Sequence, residues 1–137
     1  MLLEEGMENV YHRHHRLASA VRKAVERWDM VTQPFDKTTC SDTVTAVNTC
    51  DMIDAREIIN HAYHKYGISL GAGLGPLAGK VFRIGHLGWL NEAMILQVLS
   101  GVELTMADLG IKFEPGSGVG AAIEELVGKV YVTSYRV

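Results

Sequence analysis

Between Met7 and Trp28 the apolar residues Val10, Leu17, Val21, Val25 and Trp28 recur at helical spacing, while Arg13, Arg16, Arg22, Lys23 and Arg27 fall elsewhere on the turn. The pattern predicts one long amphipathic helix. Pro34 and the polar run Asp36-Lys37-Thr38-Thr39 interrupt it, after which Thr43-Val44-Thr45-Ala46-Val47 alternates in a β-branched stretch that predicts a strand. A second helix follows. Its residues Ala55, Ile58, Ile59, Ala62, Tyr63 and Tyr66 keep the i, i+3, i+4, i+7 rule, Asp51 or Asp54 suits its N-cap, and Gly67 suits its C′ position.

Ile68-Ser69-Leu70 reads as the start of a short strand running into a glycine-rich connection, and residues 80–85 read as another strand. Ala93, Met94, Leu96, Val98 and Leu99 predict a largely apolar helix broken at Ser100-Gly101, with a second segment ending near Leu109-Gly110. Ser117 suits the cap of a last helix through Ala121, Ala122, Ile123, Leu126 and Val127, stopped by Gly128; residues 129–135 look strand-like. This order predicts an α+β domain, a small and mainly antiparallel sheet with helices on one face. Residues 1–128 are expected to form the domain, and 129–137 a divergent tail.

The 137 residues suit one domain, and 47% hydrophobic with 21% charged residues is ordinary for a globular protein. A net charge of −3 gives no electrostatic reason to expect nucleic acid. Met1-Leu2-Leu3-Glu4-Glu5-Gly6 lacks the basic and apolar regions of a signal peptide, and no apolar stretch approaches the ~20 residues of a membrane span. The expected setting is the cytoplasm, with no membrane partner. There Cys40 and Cys50 are expected to stay reduced.

The chemistry concentrates around residues 71–88, Gly-Ala-Gly-Leu-Gly-Pro-Leu-Ala-Gly-Lys-Val-Phe-Arg-Ile-Gly-His-Leu-Gly. The glycines are not a phosphate loop, because Gly79-Lys80 is followed by Val81 and Leu74 stands where a leading glycine belongs. Nor do they make a dinucleotide fingerprint, since Pro76 takes the third glycine's place. In an extended segment Val81, Arg83 and Gly85 share one face, and Phe82 and Ile84 the other. The apolar pair is expected to meet the helices, leaving Arg83 accessible. His12, His14, His15, His61 and His64 have no carboxylate or cysteine at ligand spacing, so no metal site is expected. Lys80 points opposite to Arg83 and lacks a phosphate-binding loop, so it does not read as a Schiff-base lysine.

The run Gly-Leu-Gly-Pro-Leu-Ala-Gly-Lys-Val-Phe-Arg-Ile-Gly-His-Leu-Gly resembles the substrate-carboxylate strand of class V pyridoxal-phosphate aminotransferases, in particular the alanine–glyoxylate and serine–glyoxylate aminotransferases. The resemblance extends to Arg13-His14-His15-Arg16-Leu17-Ala18, to Thr43-Val44-Thr45-Ala46-Val47, to Leu90-Asn91-Glu92 and to Gly116-Ser117-Gly118-Val119. It covers the C-terminal small domain only, nothing here resembling the large domain with its Schiff-base lysine. It implies that Arg83 grips a substrate carboxylate and that catalytic and cofactor-binding residues lie outside this chain; Gly73, Gly75, Gly85 and His86, close to Arg83 in sequence, are expected around that handle. Pyridoxal phosphate is implied for the full-length family and not expected for this chain alone. The implied reaction moves an amino group from alanine or serine to glyoxylate or a similar 2-oxo acid. Implied partners are that small carboxylate and either a second copy or the large domain; the alternative is a stand-alone, non-catalytic module that dimerises or binds carboxylates. Trp89 departs from the pattern, standing where an aspartate is expected at a helix start.

Overall fold

The computed structural model describes residues 2–34 and 36–134, with backbone alone for Lys37 and residues 129–134. Among the described residues there are five α-helices: α1 (Leu2–Glu5), α2 (Met7–Arg27), α3 (Ala55–Tyr66), α4 (Glu92–Asp108) and α5 (Ser117–Ser134). Four strands, β1 (Val31–Gln33), β2 (Val44–Asn48), β3 (Gly71–Ala72) and β4 (Val81–Gly85), form one sheet in the order β1-β2-β4-β3. Every pairing is antiparallel. The α+β class and its small antiparallel sheet are as the hydrophobic pattern predicts.

The stripe on α2 is the spine of the core. Leu17, Val21, Val25 and Trp28 are buried on it, joined by Phe82, Ile84 and Val47 from the sheet and by Ile58, Ile95, Leu99 and Met106 from the other helices. Each such side chain removed from water stabilises the fold by about 1.5–3 kcal/mol before entropy is counted. Thr45 and Val47 of β2 and Phe82 and Ile84 of β4 face these helices. On the opposite face Val31, Gln33, Val44, Ala46, Asn48 and Arg83 keep partial or full exposure. Val81 shares that face by alternation yet is buried, at the sheet end where Thr49 N–H and its hydroxyl both donate to the Lys80 carbonyl.

The caps of α3 follow the sequence. Asp54 accepts from Arg56 N–H, and Gly67 takes the left-handed conformation with φ 65°. Gly67 N–H donates to the Tyr63 carbonyl, the bond of a left-handed C-cap, and Ile68 N–H to that of Ala62, which closes the helix end. That bond corrects the expected strand start at Ile68-Ser69-Leu70: the Ile68 donor is spent on the helix, and β3 begins at Gly71.

The expected break at Ser100-Gly101 is absent, α4 running unbroken from Glu92 to Asp108. Gly101 is there for close approach: a β-carbon on it would stand 1.8 Å from Ile68 Cδ1. Asn91, two residues after Trp89, caps α4 by accepting from Met94 N–H. Gly128 does break α5, at φ 67° and ψ 163°. Beyond it residues 129–134 are helical, correcting the strand-like reading of that stretch. A short β-branched run makes a strand only where a sheet edge pairs with it, and the described pairings include none. Residues 135–137 lie outside the described residues. Cys40 and Cys50 are both unbridged.

Candidate functional site

Arg83 lies in a row that crosses the sheet. The register pairs Gln33 with Ala46, Ala46 with Arg83 and Arg83 with Gly71. Directly opposed residues of antiparallel strands project to the same side, so a single long cation stands between a methyl group and no side chain at all. Its Nε–H donates to the Ala72 carbonyl at 2.9 Å. Among the described residues neither terminal nitrogen has a hydrogen bond or an acidic partner. The result is a half-buried guanidinium on the uncovered face, clear of the helices packed beneath Phe82 and Ile84. Its terminal N–H groups match the two oxygens of a carboxylate.

The glycines named with Arg83 have separate jobs. Gly73 is buried and donates to the Val81 carbonyl; a β-carbon there would meet the Leu77 carbonyl oxygen at 2.2 Å, so only glycine fits. Gly75 is exposed with φ 54°, opening the 3-10 turn Gly75–Leu77. Gly85 pairs with Val44 and has open space where a side chain would be. The glycine that touches Arg83 is Gly71.

No family model matches the chain. Individual proteins do. The chain is similar to the serine–glyoxylate aminotransferase of Methylorubrum extorquens, 52% identical over 121 residues that span 88% of this chain and 30% of that protein. It is similar to the L-aspartate–glyoxylate aminotransferase of Paracoccus denitrificans, 48% identical over 90% of this chain and 31% of the relative. Its fold matches the crystal structure of pyridoxamine–pyruvate aminotransferase from Mesorhizobium loti with a TM-score of 0.85 and 31% identity, covering 90% of this chain and 32% of that one. The chain belongs to the class V aminotransferases, as their small domain. It spans about a third of the length of the relatives it matches.

Within this aminotransferase domain His86 stands apart from Arg83. Grouping it around the carboxylate handle is corrected by its position on the helix side, fully buried. Its Nδ1–H donates to the Asp42 carbonyl at 3.0 Å and its Nε2 accepts from the Thr45 hydroxyl at 2.8 Å. Both nitrogens are used by the neutral ring, and burial pushes its pKa below the ordinary histidine value. His86 pins the end of β4 to the start of β2.

The loop after His86 is strapped to α2 by two consecutive residues. His14 Nδ1–H donates to the Val10 carbonyl at 2.7 Å, and its Nε2 accepts from Gly88 N–H at 3.1 Å. Arg13 donates to the Gly88 carbonyl and, through Nε and Nη2, to both oxygens of Glu5. That ion pair lowers the Glu5 pKa. The strapped loop presents Leu87 and Trp89 to solvent, 67% and 73% exposed, with the Arg13 guanidinium 5.9 Å from the Trp89 ring.

Two polar clusters escaped the sequence reading. Glu103, in the middle of α4, is buried and accepts from Trp28 Nε1–H, Gly118 N–H and Val119 N–H on one oxygen and Gly116 N–H on the other. It, and not Ser117, caps α5; the Ser117 hydroxyl has no partner among the described residues. Asp108 receives His61 Nε2, Lys65 Nζ and Tyr66 Oη on a single oxygen, tying α4 to α3. The Lys65 bond, then those from Tyr66 and His61, hold its carboxyl well below the usual aspartate value. No group of three or more potential metal ligands occurs among the described residues, and no described helix is long and apolar enough to cross a membrane.

Proposed function

We propose that Arg83 binds the substrate carboxylate for an enzyme that transfers an amino group from a small amino acid such as serine or alanine to glyoxylate or a similar 2-oxo acid. The observation that carries this reading is a guanidinium on the uncovered sheet face, flanked by Ala46 and Gly71, with no acidic partner among the described residues. A carboxylate is the handle that amino donors and 2-oxo acceptors share. Arg83 therefore serves both half-reactions by binding and orientation alone. The printed names of the relatives, serine–glyoxylate and L-aspartate–glyoxylate aminotransferase, support this substrate class.

Pyridoxal phosphate, which the family implies, needs a lysine kept neutral by desolvation or a neighbouring cation. Among the described side chains, Lys23, Lys65, Lys80 and Lys112 are all exposed, and Asp108 raises the Lys65 pKa, the opposite of what is needed. These residues do not fit the cofactor. The lysine and phosphate site belong to a large domain outside this chain, and the open sheet face is where that domain or a second copy packs. Residues 1–128 form the domain proper, the break at Gly128 supporting that boundary. Cytoplasmic residence is part of the same reading.

The experiment is a calorimetric or NMR titration of the chain with glyoxylate. Arg83→Gln is expected to abolish binding. Equal binding by both proteins removes Arg83 from the role.

A further inference from the structure

The edge strand β3 does more than complete the sheet. A β-carbon on Gly71 would stand 3.1 Å from Arg83 Cβ and 3.1 Å from Arg83 Nε. That is tighter than ordinary side-chain contact, so the arginine stem lies across the place where any other residue would put its side chain. One residue on, the Ala72 carbonyl receives Arg83 Nε–H at 2.9 Å. Gly71 is directly opposite Arg83 in the register, and strands are about 4.8 Å apart, so the guanidinium is carried sideways over the sheet edge instead of standing upright.

We infer that Gly71 and the Ala72 carbonyl are positioning elements that engage Nε and leave only the terminal fork of Arg83, Nη1 and Nη2, to receive a ligand. The inference rests on the carboxylate reading above for the identity of that ligand. A guanidinium offers a carboxylate two edges, a side-on edge made of Nε and one Nη and an end-on edge made of the two Nη groups. With Nε donated to Ala72, the side-on edge has lost one of its paired donors. The end-on edge remains, so the carboxylate approaches along the extended axis of the side chain. The anchor also removes rotational freedom from a side chain that otherwise loses it on binding. Lysine cannot replace Arg83 here: its three N–H donors sit on one nitrogen, so it cannot rest on Ala72 and still present a planar two-nitrogen fork to a carboxylate.

Nitrogen-15 NMR of the chain, labelled at arginine, tests the inference with acetate as probe and chloride at matched ionic strength as control. In the unliganded protein the Arg83 Nε–H is expected to exchange with water at least about tenfold more slowly than in a solvated arginine, as a hydrogen-bonded donor does. Acetate is expected to move the Nη signals and leave Nε on its anchor. Gly71→Ala is expected to abolish the slow exchange and weaken acetate binding about tenfold, because the freed arginine side chain must then give up its rotational freedom on binding. The wild-type signals decide the matter even if that variant folds poorly. Fast Nε exchange, or acetate binding that moves Nε onto the ligand, overturns the positioning role while leaving Arg83 as the handle. Slow Nε exchange with no response to acetate supports the anchor, and the carboxylate reading alone then falls.

Discussion

Removing the Glu103 carboxylate exposes how α5 is held. Glu103→Ala takes away the acceptor of four N–H groups, those of Trp28 Nε1, Gly116, Gly118 and Val119. Water can reach Gly116 and Val119, which are exposed and half-buried, but not the Trp28 indole or Gly118. Two buried donors without partners cost about 1–3 kcal/mol each, so a loss of about 2–6 kcal/mol is expected. A domain of this kind holds about 5–15 kcal/mol in total. Glu103→Gln keeps one oxygen for the indole, Gly118 and Val119 but turns an amide N–H₂ toward Gly116 N–H, for about 1.5 kcal/mol. For a chain of this length each kcal/mol shifts Tm by about 3.5 °C, so the glutamine variant should melt about 5 °C lower and the alanine variant about 7–21 °C lower. Thermal unfolding followed by circular dichroism, with Trp28 fluorescence as a local probe, measures both. Glyoxylate binding by the glutamine variant should be unchanged, because Glu103 touches neither β3 nor β4. Two variants within about 0.5 kcal/mol of wild type would refute the argument that this carboxylate caps α5.

Other outcomes follow from the same geometry. Burial depresses the His86 pKa in the folded state, so its contribution is present above the ordinary histidine value of 6.5 and is lost as pH falls through the lowered folded value. A urea midpoint that declines on acidification below pH ~6.5 in wild type, and less so in His86→Gln, checks it. The uncovered sheet face should drive self-association; sedimentation at high micromolar concentration is expected to show a two-fold dimer, and only monomer would count against it. Mixed with pyridoxal phosphate, the isolated chain should develop no specific aldimine absorbance and no transfer from serine to glyoxylate. Stoichiometric binding abolished by one lysine substitution would place a cofactor site in this chain after all.

What was legible in the sequence was whatever a residue's near neighbours decide. The α2 stripe, the Asp54 and Gly67 caps and the alternation that separates Arg83 from Phe82 and Ile84 are all set by periodicity and local hydrogen bonding. Gly101 misled because a helix-breaking glycine and one that admits a distant Ile68 methyl look identical in one dimension. Ser117 misled because its capping role is filled by Glu103, supplied from another helix. His86 was grouped with Arg83 by closeness in sequence, yet three residues along a strand reverses the face. The anchor made by Gly71 and Ala72 needed the register of β3 against β4, which no local signal specifies.

In the proposed role Arg83 is a substrate-carboxylate handle working with a cofactor domain outside this chain. The most direct test replaces the matching 121-residue stretch of the Methylorubrum extorquens serine–glyoxylate aminotransferase with this chain and measures kcat/KM for serine and glyoxylate. The chimera is expected to be active, and Arg83→Gln to lower its kcat/KM by about 100-fold or more while the cofactor remains bound and its spectrum unchanged. A folded, cofactor-loaded chimera that is equally active with and without the Arg83 guanidinium would contradict that role.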